Sequence, residues 1–278
     1  MGDTPKPPAY VGARIDTNLA TRSREKTVKP KIALQLYTVR QELQRDFLGT
    51  IEKVAQIGYP AVQFGGYGGL SAAELKKTLA GLGLAVGGSH VNLEALEQQP
   101  DREINYCLEV GTPDVIIPVM PQAWRGSSEG YRRLADTMNR LGARCKELGA
   151  RLSYHNHAFE FEKLGDRYPL DLLFEWCDPE LVKWEPDIYW VKYGQEDPAA
   201  YIRKYAGRTP VVHLKDMTAG SSPTYAEVGE GILDWPSIFA ASEASGAEWY
   251  VVEQDQCARP PLESAALSLQ HLREWGKL

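Results

Sequence analysis

The chain repeats one unit from Lys31 onward, and this repetition limits the folds that it can adopt. Each unit is a short run with strand character, then a segment of helical period, then glycine or proline. Strands that alternate with helices must be parallel, because each helical crossover returns the chain to the same edge. The eight predicted strands are Ile32–Thr38, Ala61–Gly66, Ala85–Val91, Asp114–Met120, Arg151–His157, Val182–Ile188, Pro210–Asp216 and Trp249–Asp255.

Eight such units over residues 31–278 match the roughly 250 residues of a (β/α)8 barrel. The alternative is a doubly wound open sheet, which usually has a glycine-rich phosphate loop after an early strand. The chain has no GxGxxG motif, so the sequence predicts one (β/α)8 barrel domain over residues 31–278. Residues 1–30 are polar and contain four prolines, which predicts an extended arm or linker.

The segments between the strands carry helix signals. Ser71 and Glu74 have the spacing of a capping box, and Gly58 and Gly149 stand where helices should end. A stripe on the longest helix is predicted to face the core and consists of Leu134, Met138, Leu141 and Cys145.

Composition excludes several classes of protein. The net charge of −6 disfavours a nucleic-acid binder, and no apolar run approaches the roughly 18 residues of a membrane helix. The four cysteines are far apart in the chain, which predicts free thiols and a reducing compartment. The start of the chain lacks the apolar core of a secretory signal, so we expect a cytoplasmic protein, with export after signal removal left open.

Ionisable side chains collect at the C-terminal ends of the predicted strands, where barrel active sites lie. Four of the five histidines are there. A lone histidine at a strand end is usually a hydrogen-bonded core residue, and a lone carboxylate usually forms an ion pair, but convergence from several strands favours a site. The residues are His90, His155, His157, Glu160, Asp187, His213, Lys215, Asp216, Glu253 and Asp255.

Glu160, Asp187, His213 and Glu253 form the predicted metal site. Three carboxylates and one imidazole suit Mn²⁺, Mg²⁺ or Co²⁺ better than a structural zinc. We therefore expect one divalent ion, with Mn²⁺ the first choice and Mg²⁺, Co²⁺ or Zn²⁺ as alternatives.

Several motifs together resemble the xylose isomerase-like TIM barrels, a superfamily of sugar phosphate isomerases and epimerases that includes ketose 3-epimerases, inosose dehydratases and endonuclease IV. The resemblance covers residues 31–278 and implies one divalent ion held by Glu, Asp, His and Glu of strands five to eight. The motifs are YHNHAFEF, EPDIYW, VVHLKD with its preceding GR, VGEGILDW and VVEQD.

The chain departs from that pattern on strand five. The resemblance matches Asp187, His213 and Glu253 directly, whereas Ser153 stands where the epimerases carry their first glutamate. We infer that Glu160 replaces it. The missing glutamate is also one of the two acid/base groups of those epimerases, and Trp190 stands where they carry a histidine. The resemblance therefore argues against a plain ketose 3-epimerase.

Proton transfer is then expected from His155 and Glu253, followed by His90 and His157. Lys215, Trp190 and Tyr37 are predicted to contact the substrate, and the glycines of QFGGYGGLS form a candidate loop over it. We expect no cofactor besides the metal ion. By resemblance, a homodimer or homotetramer is expected.

The expected function is a metal-dependent sugar isomerase or epimerase that removes a proton next to a carbonyl through a metal-stabilised enediolate. The alternative is a metal-dependent lyase or dehydratase that acts on an inosose or a 3-keto-glycoside through the same intermediate. Two weaker alternatives are an endonuclease-like phosphodiesterase and a non-catalytic sugar-binding barrel. The acidic net charge disfavours the first, and the matching ligands disfavour the second.

Overall fold

The computed structural model describes residues 29–278, in which eight parallel strands form one sheet. The predicted arm lies outside the described residues, apart from Lys29 and Pro30. Two further strands of two residues each, β8 (Asp216–Met217) and β9 (Tyr225–Ala226), form a small antiparallel hairpin. The strands of the main sheet are β1 (Lys31–Gln35), β2 (Ala61–Phe64), β3 (Ala85–His90), β4 (Asp114–Ile117), β5 (Arg151–His155), β6 (Val182–Glu185), β7 (Val211–Leu214) and β10 (Trp249–Val252).

The sheet curls into a barrel. Its order is β6-β5-β4-β3-β2-β1-β10-β7. The outer strands β6 and β7 meet at a parallel bridge between Asp187 and His213, where the His213 N–H donates to the Pro186 carbonyl oxygen at 2.9 Å. The predicted barrel of eight parallel strands is therefore confirmed, and its seam lies between β6 and β7.

Each strand ends one to three residues before its predicted C-terminus. The backbone stops pairing with the neighbouring strands where it reaches the end of the barrel core, and the polar residues that follow lie in loops. His157, Asp187, Lys215 and Glu253 therefore lie just beyond strand ends rather than within strands.

Helices cover the outside of the sheet, and the local signals in the sequence are found in them. The Ser71 hydroxyl accepts from the Glu74 N–H at 3.3 Å, and the Glu74 carboxylate accepts from the Ser71 N–H at 2.9 Å. Gly58 and Gly149 end their helices with φ of 102° and 85°. The helices are α1 (Arg40–Arg45), α2 (Phe47–Ile57), α3 (Ala72–Leu82), α4 (Leu93–Gln98), α5 (Pro100–Val110), α6 (Ser128–Leu148), α7 (Pro169–Trp176), α8 (Ile188–Tyr193), α9 (Pro198–Lys204), α10 (Trp235–Ala244) and α11 (Pro261–Glu274).

The core lies between these helices and the sheet. The predicted stripe of α6 is buried there in full. All four cysteines are free thiols, as predicted. Over residues 29–278, no helix has both the length and the apolar character needed to cross a membrane.

A buried carboxylate organises the loop that follows β7. Asp216 is fully buried and accepts five hydrogen bonds. A Cβ on Gly231 would lie 2.2 Å from Asp216 Oδ1, so the close approach of this loop requires glycine. The VGEGILDW motif is therefore a loop folded around one carboxylate. The donors are the N–H groups of Met217, Gly229, Gly231 and Leu233 and the indole N–H of Trp235.

Candidate active site

Seven ionisable side chains meet at the C-terminal mouth of the barrel. Each comes from the end of a strand or from the residues directly after it, as parallel strands in a closed sheet require. All are buried except His90, which is half-buried. The cluster consists of His90 (β3), His155 (β5), Glu185 and Asp187 (β6), His213 and Lys215 (β7) and Glu253 (β10).

Glu185 is the centre of the cluster. Its Oε2 lies 2.7 Å from His90 Nε2, 3.0 Å from His155 Nδ1 and 3.2 Å from His213 Nε2. Burial alone would raise the pKa of Glu185, but its interactions with His213 and His90 and its hydrogen bond with His155 outweigh burial and hold that pKa well below its usual value. The sequence did not single out Glu185, although it stands two residues before Asp187 in a predicted strand and so shares its face.

Two buried glutamines, Gln63 and Gln35, extend the hydrogen-bond network around Glu185. Gln63 Nε2 donates to Glu185 Oε1 at 2.7 Å, and Gln63 Oε1 lies 2.7 Å from His213 Nε2. Gln35 Nε2 donates to the same Gln63 oxygen at 2.6 Å. Burial would lower the pKa of His213, but Glu185 and Glu253 outweigh it and raise that pKa to about 10. Nothing in the sequence marked these glutamines, because they are uncharged residues inside ordinary strands.

Four donor atoms are arranged so that they could hold a metal ion. One atom each from His155, Asp187, His213 and Glu253 lies within 4.8 Å of the others. A second group of His90, His155, Glu185 and His213 overlaps it. Donors bound at about 2.1 Å on opposite sides of an ion lie about 4.2 Å apart, so this spacing is close to what a divalent ion needs.

Two observations support that fit. Asp187 Oδ2 is buried and accepts no well-aligned hydrogen bond within the described chain. A cation already lies against the same oxygens, since Lys215 Nζ is 2.7 Å from Asp187 Oδ2 and 2.9 Å from Glu253 Oε2. The set of two imidazoles and two carboxylates therefore suits a divalent cation.

Lys215 is almost completely buried, at 1% exposure. Its ammonium also contacts Asp255 Oδ1 at 3.1 Å. Burial would lower the pKa of Lys215, but Asp187 and Glu253 outweigh burial and raise that pKa well above its usual value. The lysine predicted to touch substrate thus forms ion pairs with three carboxylates at the mouth of the barrel.

Glu160 belongs to neither of the two groups of donor atoms that could hold a metal ion. Its Oε1 accepts from the Tyr154 hydroxyl at 2.5 Å and its Oε2 from the His157 N–H at 2.8 Å. The strand ends at His155, and a 3₁₀ turn over Phe159–Phe161 then directs the carboxylate back towards Tyr154. The number of residues between Ser153 and Glu160 gives no indication of this turn. His155, predicted to transfer protons, is instead the fourth member of the group that could hold a metal ion.

Burial raises the pKa of Glu160 to about 7. An acid whose pKa is higher in the folded state favours folding less as pH rises from its unfolded value near 4.5 to about 7. Glu160→Gln removes this dependence of stability on pH. Relative to wild type, its free energy of unfolding should rise by about 2 to 3 kcal/mol between pH 5 and pH 8. Urea unfolding at both pH values measures this, and Glu162→Gln, at an exposed acid, should show no comparable rise. A parallel pH dependence in wild type and Glu160→Gln would contradict the buried carboxyl.

A cavity of about 440 Å³ opens onto the cluster. The four residues predicted to transfer protons (His90, His155, His157 and Glu253) all line it, as do Tyr37 and Lys215. His157 Nδ1 has no hydrogen-bond partner among the described residues. Burial lowers the pKa of His157 to about 3, which leaves its ring neutral.

The predicted aromatic contacts divide into two groups. Tyr37 is 47% exposed on the cavity rim. Trp190 is not a lining residue, but its ring lies 5.8 Å from the His157 ring and 5.7 Å from Lys215 Nζ, so it packs against two residues that are. Phe64 and Trp184, two other aromatic residues near strand ends, are fully buried in the core.

Comparison with known families agrees with the fold. A family model described as xylose isomerase-like TIM barrel matches residues 51–275. A solved sugar phosphate isomerase/epimerase from Parabacteroides distasonis superposes with a TM-score of 0.75 at 25% identity, over 88% of this chain and 98% of that one.

Curated relatives are named for a different reaction. An inosose dehydratase from Geobacillus thermodenitrificans is 25% identical over 264 residues, which cover 81% of this chain and 88% of that protein. Another inosose dehydratase, from Clostridium beijerinckii, is 27% identical over 56% of this chain and 58% of its own length. The relatives therefore include both isomerase-type and dehydratase-type enzymes.

Proposed function

The chain belongs to the xylose isomerase-like TIM barrel family, and from that premise we propose that it is a divalent-metal-dependent lyase for a cyclic carbohydrate ketone. The observation that carries this proposal is the composition of the cluster. Strand β5 contributes the imidazole of His155, while Ser153, at the position of the epimerase glutamate, is buried and its hydroxyl has no partner within residues 29–278. The inosose dehydratases among the relatives support the same reaction type.

We assign the ion to His155, Asp187, His213 and Glu253, so that His155 takes the place expected for Glu160. When bound, a divalent ion there would polarise the carbonyl of the substrate. Glu185 accepts a hydrogen bond from His155 Nδ1 and leaves Nε2 directed towards Asp187, at 3.6 Å from its Oδ2. Such an outer carboxylate fixes the tautomer and the orientation of a ligating imidazole. Mn²⁺ remains our first choice.

The reaction that fits these residues is β-elimination. A base removes the proton from the carbon beside the ketone, and the electron pair forms an enolate. The enolate re-forms the ketone as it expels the oxygen on the next carbon. We assign His157 as the base, because its Nδ1 has no hydrogen-bond partner among the described residues and its ring lines the cavity. Its lowered pKa makes it a weak base without substrate, and negative charge that develops on the bound substrate beside the ring would raise that pKa. Protonated His157 then gives the same proton to the departing oxygen, which leaves as water or an alcohol.

Epimerisation or isomerisation from the same enolate is the second candidate. It is favoured by the similarity to the solved sugar phosphate isomerase/epimerase. Return of the proton to the opposite face needs a second group, and Glu253, which lines the cavity, is the candidate for that role. Tyr37 and Lys215 are the proposed substrate contacts under either reaction, with Trp190 packed behind Lys215.

One experiment separates these reactions. The Mn²⁺-loaded protein is incubated in D₂O with an inosose and with a 3-keto-glucoside. Elimination yields an unsaturated ketone that absorbs in the ultraviolet, with release of water or alcohol. Epimerisation instead incorporates deuterium into recovered ketone without that absorbance. Exchange without elimination would overturn the lyase assignment, and neither signal with either ketone would overturn both.

Lys215→Met is expected to bind Mn²⁺ at least about tenfold more tightly than wild type while losing turnover. The ammonium competes with the ion for Asp187 and Glu253, and at an effective dielectric constant near 20 two charges 4 Å apart interact by about 4 kcal/mol. Calorimetric titration of metal-depleted protein with Mn²⁺ measures the change. Lys163→Met, at an exposed lysine, is the control and should leave affinity unchanged. Weaker Mn²⁺ binding by Lys215→Met would mean that the lysine orders the carboxylates instead.

A further inference from the structure

A second cavity of about 480 Å³ lies beside the first, where the chain leaves β1 and β2. Tyr37 and Arg40 line both cavities. The Arg40 guanidinium lies 4.3 Å from the centre of the Tyr37 ring and donates to the Tyr37 carbonyl oxygen at 3.0 Å. The two cavities therefore meet at one stacked pair of side chains.

The second cavity differs from the first in its chemistry. Imidazoles, an ammonium and carboxylates line the first. Leu36, Leu43, Phe47 and glycine backbone line most of the second, with Gln44 and the shared Tyr37 and Arg40 as its polar side chains. Among the described residues no carboxylate or imidazole lines it. A carbohydrate ring carries hydroxyl groups that each need a polar partner, so the second cavity suits an apolar group better than another sugar unit.

The glycine loop after β2 shapes this cavity. Gly65, Gly66 and Gly68 line it. Gly68 has φ of 62°, and a Cβ there would lie 2.5 Å from the Phe47 ring, so the loop packs directly against that ring. Gly68 therefore allows the loop to lie against Phe47, where any side chain would clash with the ring.

We propose that the second cavity binds an apolar or aromatic group that the ketone substrate carries through an ether oxygen. A cavity of 150 Å³ already holds benzene, so 480 Å³ leaves room for a phenyl-sized group. This inference rests on the proposed lyase function and narrows its substrate to a keto-glycoside. The bond that breaks is then the one between the sugar carbon and the ether oxygen, and the apolar alcohol leaves with the proton that His157 removed.

Two glutamines of α1 provide a matched test. Gln44 is exposed and lines the second cavity, whereas Gln41 is exposed on the same helix and lines neither cavity. We compare kcat/KM for benzyl and methyl 3-ketoglucosides, whose alcohols have similar acidity and are therefore comparable leaving groups. Wild type should prefer the benzyl compound by about tenfold or more, as burial of an aromatic ring predicts. Gln44→Trp should reduce that preference to near one, and Gln41→Trp should keep it. An unchanged preference in Gln44→Trp, or none in wild type, would overturn the subsite.

Binding without turnover tests the subsite separately from the reaction. Phenyl and methyl β-D-glucosides carry no ketone, and their affinities are measured by ligand-observed NMR. Tighter binding of the phenyl compound that Gln44→Trp abolishes and Gln41→Trp retains would support the subsite even if both ketones were inert, in which case only the lyase function fails. Equal affinities for the two glucosides in wild type would overturn the subsite even if the ketones were eliminated.

Discussion

Asp187→Asn is expected to remove the divalent ion from the protein and to lower turnover by about a thousandfold or more. The amide cannot supply the negative charge of Oδ2, and loss of a Lewis acid costs several kcal/mol of transition-state stabilisation. The fold should survive, because the Asn Oδ1 can still accept from the N–H groups of Tyr189 and Trp190, which Asp187 caps at 3.0 and 3.3 Å.

Elemental mass spectrometry of protein purified without chelator measures the metal per chain. Glu160→Gln serves as the comparison, since Glu160 bonds to Tyr154 and His157 rather than to the cluster. We expect about one ion per chain in wild type and in Glu160→Gln, and almost none in Asp187→Asn. Loss of metal in both variants would return Glu160 to the ligand set, and full retention in Asp187→Asn would move the site elsewhere.

His157→Gln is expected to lower turnover by about 10² to 10⁴-fold while the ion stays bound, because a positioned acid/base group contributes that range. Its ring is not in the groups of donor atoms that could hold the ion. Steady-state kinetics with parallel metal analysis measures both effects.

His271→Gln is the matched control, since His271 lies on α11 and bonds to the Val228 carbonyl oxygen at 2.6 Å. Turnover of this variant should stay within about twofold of wild type. Undiminished turnover in His157→Gln would assign the proton transfer to another side chain, with His90 the next candidate.

The barrel could be predicted from sequence because its signal is repeated. Eight alternations of strand and helix character each carry a little information, and only a few folds accommodate all of them. The same topology placed His90, Asp187, His213 and Glu253 near one another, since parallel strands bring their C-terminal ends to one face. That convergence follows from connectivity and needs no detail of side-chain packing.

The sequence could not predict the contacts that depend on the path of the chain beyond the strand ends. Glu160 turns back to Tyr154 because a 3₁₀ turn follows β5, and hydrogen bonds from the Tyr154 hydroxyl and the His157 N–H hold its carboxylate there. Glu185 was visible in its predicted strand, but only the closed barrel places three imidazoles against one of its oxygens. Gln63 joins this network through its position on β2 alone.

The seam between β6 and β7 is formed by residues that also belong to the proposed ion site. Asp187 and His213 form the bridge that closes it, and both belong to the proposed ion site. An ion bound by both residues would hold β6 and β7 together. A ligand that binds only the folded state stabilises that state by mass action. Amide hydrogen exchange at His213, whose N–H crosses the seam to Pro186, should then slow when Mn²⁺ is added. Chelation would remove this stabilisation, so the metal-free protein should open first at the seam between β6 and β7 and be cut there more readily by a protease.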